Sequence, residues 1–127
     1  MKANEAEKVK SMYLKYGHRC FVCGLSATQR ALIISDTKTN RKVFGAEIID
    51  NALNWLPACS LRCNSLIDVG KSPVIKGTIS ALIRQRDSSG IEKLVRGNIE
   101  RKRMKAETSL LESEKRLDQT MIEKGGE

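Results

Sequence analysis

An α+β fold is predicted for this chain, with a small metal-stabilised domain at residues 1–70 and a helical extension at residues 71–127. Three observations lead to it: four cysteines in two close pairs, β-branched segments between the pairs, and apolar residues at helical spacing on either side. Aromatic residues are only 4% of the 127 residues, which is little material for a self-sufficient core. We therefore expect a bound metal to stabilise the N-terminal domain.

The first element is predicted to be a helix with Asn4 as its N-cap. Apolar residues from Val9 to Tyr16 follow the spacing of one helix face, and Gly17 is placed to end the helix in a left-handed conformation. Residues 17–24 then form a tight turn that carries the first two thiols. Gly24 supplies the positive φ that such a turn needs.

Two strands are predicted between the cysteine pairs. Residues 30–36 and 41–49 are both rich in β-branched residues, and turn-like residues separate them, so they are predicted to form a hairpin. Residues 50–54 are predicted to be a connector, and residues 55–58 lead into the second cysteine pair.

Helices are predicted for the rest of the chain. A short helix covers residues 59–69 and is ended by Gly70. Ser72 and Pro73 are a typical N-cap and first residue of the next helix, which reaches about Arg86. A long helical pattern begins at Ile91, but its heptads are too irregular to predict a coiled coil.

The cysteines are the most informative feature of the sequence. Cys20 and Cys23 are spaced C-x2-C, Cys59 and Cys63 are spaced C-x3-C, and 35 residues separate the pairs. Thiolates at these spacings in a turn and a first helical turn can complete a tetrahedron around one Zn²⁺. The alternatives are two disulfides or four free thiols. No secretory signal is visible, so a reducing cytoplasmic or nucleoid-associated setting is expected, which favours structural zinc.

The order of these parts resembles a known family. Residues 18–24 (HRCFVCG), a β-hairpin and residues 54–64 (NWLPACSLRCN) opening a helix are similar to a treble-clef zinc finger. More narrowly, residues 8–70 resemble the zinc-containing HNH nucleases, including the phage recombination endonuclease VII group. The resemblance implies that the four cysteines hold a structural zinc and that the hairpin and helix form a ββα-metal unit.

The sequence departs from that family at the catalytic base. Such nucleases need a histidine at the end of the first strand, beside an aspartate that binds a catalytic Mg²⁺. Asp36 matches the aspartate and Asn64 matches the family's ligand after the last cysteine, but Thr37 stands where the histidine belongs. The single histidine, His18, precedes the first cysteine, and a threonine hydroxyl cannot act as a base near neutral pH.

The expected function is therefore non-catalytic binding of nucleic acid on a degenerate HNH-like scaffold. One alternative is a metal-dependent DNA endonuclease that uses Asp36 and Asn64. Another is a zinc-stabilised adaptor whose residues 75–121 bind a second copy or another protein. No apolar run approaches the ~20 residues of a membrane span, so no membrane partner is expected.

The charge of the chain favours a polyanionic partner. The 23 basic and 15 acidic residues give a formal net charge of +8, and residues 84–105 alone hold 8 basic and 3 acidic residues. No aromatic residues alternate with the basic ones, so contact with duplex phosphates is expected rather than base stacking. The predicted contacts are Arg19, Arg30, Lys38, Arg41, Lys42, Arg62, Lys93, Arg96, Arg101, Lys102, Arg103 and Lys105.

Overall fold

A computed structural model describes the backbone of residues 2–125 and the side chains of residues 5–108. Helices and a small two-stranded sheet make up these residues, which confirms the predicted α+β class. The elements in chain order are α1 (Lys2–Lys15), β1 (Gln29–Leu32), α2 (Lys38–Phe44), α3 (Ala46–Ile49), a 3₁₀ turn (Ala52–Asn54), β2 (Trp55–Ala58), α4 (Leu61–Ile67), α5 (Pro73–Arg84) and α6 (Ser88–Gly125).

Helix α1 ends where the sequence predicts but begins earlier. Its first residue is Lys2, so Asn4 lies inside the helix and the prediction of Asn4 as N-cap is wrong. The helix ends at Lys15, and Gly17 two residues later has the predicted left-handed conformation with a φ of +62°, while His18 adopts a similar φ of +57°. Met12 is buried and anchors the helix to the rest of the fold.

The two strands that pair are not the predicted hairpin. Strand β1 runs antiparallel to β2, with Gln29 opposite Ala58 and Leu32 opposite Trp55. Strand β1 is also shorter than the predicted 30–36. The structure therefore contains a strand, a long connection, a second strand and then helix α4.

The predicted second strand, residues 41–49, is wrong because this segment is helical. The Thr37 hydroxyl accepts the Asn40 N–H at 3.0 Å and so caps α2, and Gly45 at φ +84° separates α2 from α3. A strand with one buried face would alternate in burial. Here Ile48 and Ile49 are both buried, which suits the inner face of a helical turn.

Strand β2 was missed because it contains a proline, which argues against a strand in the middle of a sheet. All four of its residues are buried. Pro57 is accommodated because the sheet has only two strands, so its nitrogen needs no ladder partner there. The Pro57 carbonyl still accepts a hydrogen bond from the Phe21 N–H at 2.9 Å.

A buried asparagine holds the long connection between the strands. Asn54 has no exposed surface, and its Oδ1 accepts the Ile34 N–H at 2.9 Å. Its Nδ2 donates to the Ile34 carbonyl at 3.0 Å and to the Ile49 carbonyl at 3.1 Å. The side chain therefore satisfies backbone groups that neither the sheet nor α3 can reach.

The later helices follow their predicted caps closely. Helix α4 begins after Ser60 rather than at residue 59, and it ends at Ile67 with Asp68 as its C-cap, before the predicted stop at Gly70. Helix α5 has the predicted Ser72 cap and Pro73 start but ends at Arg84. Helix α6 begins at Ser88, before the predicted Ile91, because the Asp87 carboxylate accepts the Gly90 N–H in its first turn.

One cluster of buried side chains unites these elements. Helix α4 packs on both strands and on α6, and α5 packs on α3 and α6. The cluster draws on residues of both predicted parts of the chain. They include Ile33, Ile49, Leu56 and Ile67 before residue 70, and Ile79, Ile83, Ile91, Val95 and Ile99 after it.

Candidate metal centre and basic surface

The first cysteine pair lies in a turn that its own backbone closes. The Cys20 N–H donates to the Leu25 carbonyl at 2.7 Å, and the Gly24 N–H donates to the Cys20 carbonyl at 3.0 Å. Gly24 has a φ of +77°, as the sequence predicts for this turn. We call residues 19–26 the knuckle, since Arg19 and Ser26 pair as an isolated antiparallel bridge at its base.

The second cysteine pair lies at the junction of β2 and α4. Cys59 precedes the helix, and only Cys63 lies in its first turn, so the prediction that both belong to the helix is wrong for Cys59. The Ser60 hydroxyl accepts the Cys63 N–H at 3.3 Å, which orients this first turn. The Thr28 hydroxyl donates to the Cys59 carbonyl at 3.1 Å and ties the junction to the segment before β1.

The fold brings all four thiols to one point. Their sulfur atoms lie within 4.8 Å of one another, and the separations are 3.3 Å for Cys23–Cys59, 3.6 Å for Cys59–Cys63 and 4.0 Å for Cys23–Cys63. A disulfide requires about 2.05 Å, and all four cysteines are free. A tetrahedral ion with metal–sulfur bonds of about 2.3 Å places its sulfurs about 3.8 Å apart. The cluster therefore has the dimensions of a four-cysteine metal site.

The surroundings of these thiols differ. Burial opposes ionisation of Cys20, but hydrogen bonds from the backbone of Cys23, Val22 and Cys59 outweigh it and lower the pKa of Cys20 to about 7. Burial raises the pKa of Cys63 to about 12, with the neighbouring Cys59 thiol adding to the shift. Four crowded thiols of this kind ionise together only when a cation neutralises them, which is the chemistry of metal ligation.

The loop after β1 holds an ion-pair cluster instead of an open carboxylate. The Arg41 guanidinium donates from Nη2 to Asp36 at 3.0 Å and to Asp50 at 2.8 Å, and its Nε also donates to Asp36. Because of the hydrogen bond from Arg41, the pKa of Asp36 lies below its ordinary 3.8. The carboxylate that resembles a magnesium ligand is thus bound by a cation of the chain itself.

The pKa of Asp36 is expected to lie below its ordinary value in the folded protein and to rise in Arg41→Gln, which removes the hydrogen bond from the guanidinium. Since its folded pKa is depressed, the interaction stabilises the fold above the ordinary pKa and is lost as the pH falls through the lowered value. Side-chain carboxyl NMR shifts measured against pH test this. Lys42→Gln removes the neighbouring charge without touching Asp36 and should leave the midpoint unchanged. An Arg41→Gln midpoint equal to that of the wild type would contradict the assignment.

The other residues that were compared with the nuclease catalytic site are Thr37, Asn64 and His18, and each has contacts within the fold. Thr37 caps α2, and Asn64 Nδ2 donates to the Gln29 Oε1 at 3.2 Å. His18 is exposed, and its ring lies beside Tyr13 with 6.1 Å between ring centroids. In residues 5–108, no hydrogen bond or ion pair joins Asp36 to Asn64.

The twelve predicted basic contacts are of three kinds: two form ion pairs, one is half-buried and donates to backbone carbonyls, and nine are exposed and form no ion pair. Among the described side chains, only Arg30 and Arg41 form ion pairs, Arg30 with Glu5 at 3.0 Å and Arg41 with two aspartates. Lys102 Nζ donates to the Ser65 carbonyl at 3.0 Å, at the C-terminal end of α4. The exposed predicted contacts without an ion pair are Arg19, Lys38, Lys42, Arg62, Lys93, Arg96, Arg101, Arg103 and Lys105.

Two features of the basic surface were not foreseen from the sequence. Lys38, Arg41 and Lys42 lie on helix α2 rather than in the predicted hairpin of residues 30–36 and 41–49. The guanidinium of Arg96 lies over the Phe21 ring, 4.1 Å from its centroid. The aromatic Phe21 between Cys20 and Cys23 is a sequence signal for stacking with a cation. The arginine that stacks on it is 75 residues further along the chain, so the sequence does not identify it.

The comparisons with known proteins give no relative. The chain matches no family model, no curated protein and no solved structure. In the described part of the chain, no helix combines the length and apolar character of a membrane span. The predicted protein-binding segment 75–121 is described with side chains only to residue 108.

Proposed function

We propose that this chain is a non-catalytic, zinc-containing nucleic-acid-binding protein built on a treble-clef scaffold like that of the HNH nucleases. The four-cysteine cluster supports zinc, because its sulfur separations suit a tetrahedral ion and Zn²⁺ accepts four thiolates without a geometric penalty. Cys20, Cys23, Cys59 and Cys63 would hold the ion. Bound zinc would neutralise the thiolates and join the knuckle to β2 and α4.

The order of elements supports the scaffold. A cysteine knuckle, an antiparallel strand pair and a helix that carries the last cysteine follow one another, as the resemblance implies. The pairing differs from the predicted hairpin, since β2 replaces residues 41–49 as the partner of β1. A strand–loop–strand–helix order is retained.

The contacts of Asp36 support the absence of catalysis. Its carboxylate is bound by Arg41, and Thr37 uses its hydroxyl to cap α2. A magnesium ion at Asp36 would have to displace a guanidinium that also contacts Asp50. Within the described residues, no histidine lies in this loop, so a general base of the expected type is missing.

The single observation that carries nucleic-acid binding is the unpaired positive charge. Of the twelve predicted contacts, ten form no ion pair with a carboxylate in residues 5–108. Lysines and arginines that are not neutralised within the protein can neutralise phosphates and release counterions. The five aromatic side chains are all buried or half-buried, which fits binding to the backbone of a duplex rather than stacking on bases.

Binding is tested by titrating zinc-loaded protein into a labelled DNA duplex over a series of salt concentrations. We expect affinity to fall steeply with salt, by at least about tenfold between 50 and 200 mM, since several phosphates are contacted. A duplex RNA of the same length distinguishes shape preference from general phosphate binding. Weak binding without a salt dependence would contradict the proposal and favour the adaptor.

Cleavage is tested on the same preparation. Supercoiled and branched DNA incubated with Mg²⁺ or Mn²⁺ should remain intact. Cleavage that is lost in Asp36→Ala and retained in the matched variant Asp68→Ala would establish the endonuclease instead. Asp68 is a suitable control because it lies at the C-terminal end of α4.

A further inference from the structure

Helix α6 crosses the knuckle at a stacked arginine. The Arg96 guanidinium lies 4.1 Å from the Phe21 ring centroid, and its Nη1 donates to the Phe21 carbonyl at 3.4 Å. Phe21 itself is only 5% exposed, so the ring that supports the guanidinium is held firmly. The Arg96 side chain is exposed at its outer edge. Stacking therefore fixes the guanidinium while other N–H groups remain free to donate.

A second arginine, Arg103, lies two turns further along the same side of α6. Arg103 follows Arg96 by seven residues, which is two helical turns and about 10.5 Å along the axis. Both line a small cleft of about 90 Å³ between α6 and the knuckle. The residues of this cleft are Phe21, Val22, Arg96, Ile99, Glu100 and Arg103.

We propose that this cleft, which we call the α6–knuckle cleft, binds the phosphates of one strand of a nucleic-acid duplex. The inference rests on the proposed function and assigns its main contact surface. A guanidinium presents a planar fork that matches phosphate oxygens, and one that is already stacked loses little entropy on binding. A rise of about 10.5 Å along α6 separates the two arginines enough for each to contact a different phosphate of one strand.

The charges around the cleft favour it over the surface of α2. Arg41 on α2 is neutralised by two aspartates, so only Lys38 and Lys42 remain unpaired there. In the cleft, Glu100 lies between the two arginines and opposes an anion, but it forms no ion pair with either. The cleft thus keeps a net positive charge, with a single carboxylate that reduces its affinity for phosphate.

The presence of Glu100 makes the proposal testable in two directions. In the duplex titration, Arg96→Gln with Arg103→Gln should weaken binding by at least about tenfold and reduce the salt slope by about 2, one for each phosphate contact. Glu100→Gln should strengthen binding by about two- to fivefold, because it removes the repelling charge. The matched control, Lys8→Gln with Lys10→Gln, removes the same charge from exposed positions of α1 that are not predicted contacts, and should change affinity less than about twofold.

The single variant Arg103→Gln controls for misfolding of the knuckle, since Arg103 is exposed and the stacked Arg96 is retained. It should lower the salt slope by about 1 while zinc content and the melting transition stay as in the wild type. Unchanged binding in both arginine variants, or an equal loss in the α1 control, would overturn the cleft and leave duplex binding intact. Failure of the wild-type protein to bind any duplex would overturn the proposed function as well.

Discussion

Removal of the proposed zinc ion is expected to abolish the cooperative fold of this protein. The four thiols link three separate parts of the chain, the knuckle, the end of β2 and the first turn of α4. Structural zinc contributes about 10–16 kcal/mol in small zinc domains, whereas a whole domain is stable by about 5–15 kcal/mol. The loss is therefore comparable to the whole stability of a typical domain, and the metal-free chain is not expected to fold cooperatively.

The measurement combines metal analysis with circular dichroism. Purified protein should contain one zinc per chain, and a strong chelator should remove the melting transition, which added Zn²⁺ restores. Cys63→Ser should behave like the chelated protein, because Cys63 is a buried member of the four-thiol cluster and its replacement leaves only three thiols. Leu25→Ser introduces the same residue at a 66% exposed position of the knuckle and should melt like the wild type.

Two results would contradict this expectation. One is a metal-free protein that melts cooperatively at the temperature of the zinc-loaded form. The other is a pair of disulfides in the folded protein under reducing conditions, which the sulfur separations of 3.3 to 4.0 Å oppose.

Asn54→Ala is expected to destabilise the zinc-loaded protein by about 3–5 kcal/mol. The substitution removes three hydrogen bonds to buried backbone groups of Ile34 and Ile49. These groups lie where water cannot replace the amide, because Ile34, Ile49 and Asn54 have no exposed surface. The cost of leaving them unpaired adds to that of the cavity.

Denaturant unfolding at saturating zinc measures the effect. The matched control is Asn51→Ala, since Asn51 is less buried and its Oδ1 accepts only the Leu53 N–H, at 3.0 Å. We expect about 1 kcal/mol from the control, as for the loss of a helix cap. Equal losses in the two variants would show that Asn54 does not anchor the connection between the strands.

Local signals predicted several parts of the fold correctly. The Ser72 cap, the Pro73 start of α5 and the left-handed Gly17 and Gly24 depend on contacts within a few residues, so the sequence contains their causes. The cysteine spacing likewise indicated a single cluster, because each pair can turn both thiols to one side. The boundary of α4 was less accurate, since the Ser60 cap decides it rather than Cys59.

The strand pairing could not be predicted in the same way. Residues 41–49 contain three β-branched residues and one aromatic residue, yet Thr37 caps the start of α2 and Gly45 separates α2 from α3, so the segment is helical. The sequence did not indicate β2 as the partner of β1, because β2 contains Pro57 and a proline is tolerated only where no ladder hydrogen bond is needed. That condition depends on the number of strands in the sheet, which is a tertiary property.

By itself, the sequence determined the α+β class, the four candidate metal ligands, the basic character of the chain and the lack of a histidine after the first strand. The tertiary structure decided which charges are neutralised and which remain available. Arg41 contacts Asp36 and Asp50 across a loop, and Arg96 stacks on Phe21 from a helix far along the chain. Such contacts depend on packing between distant segments, which no local pattern of residues specifies.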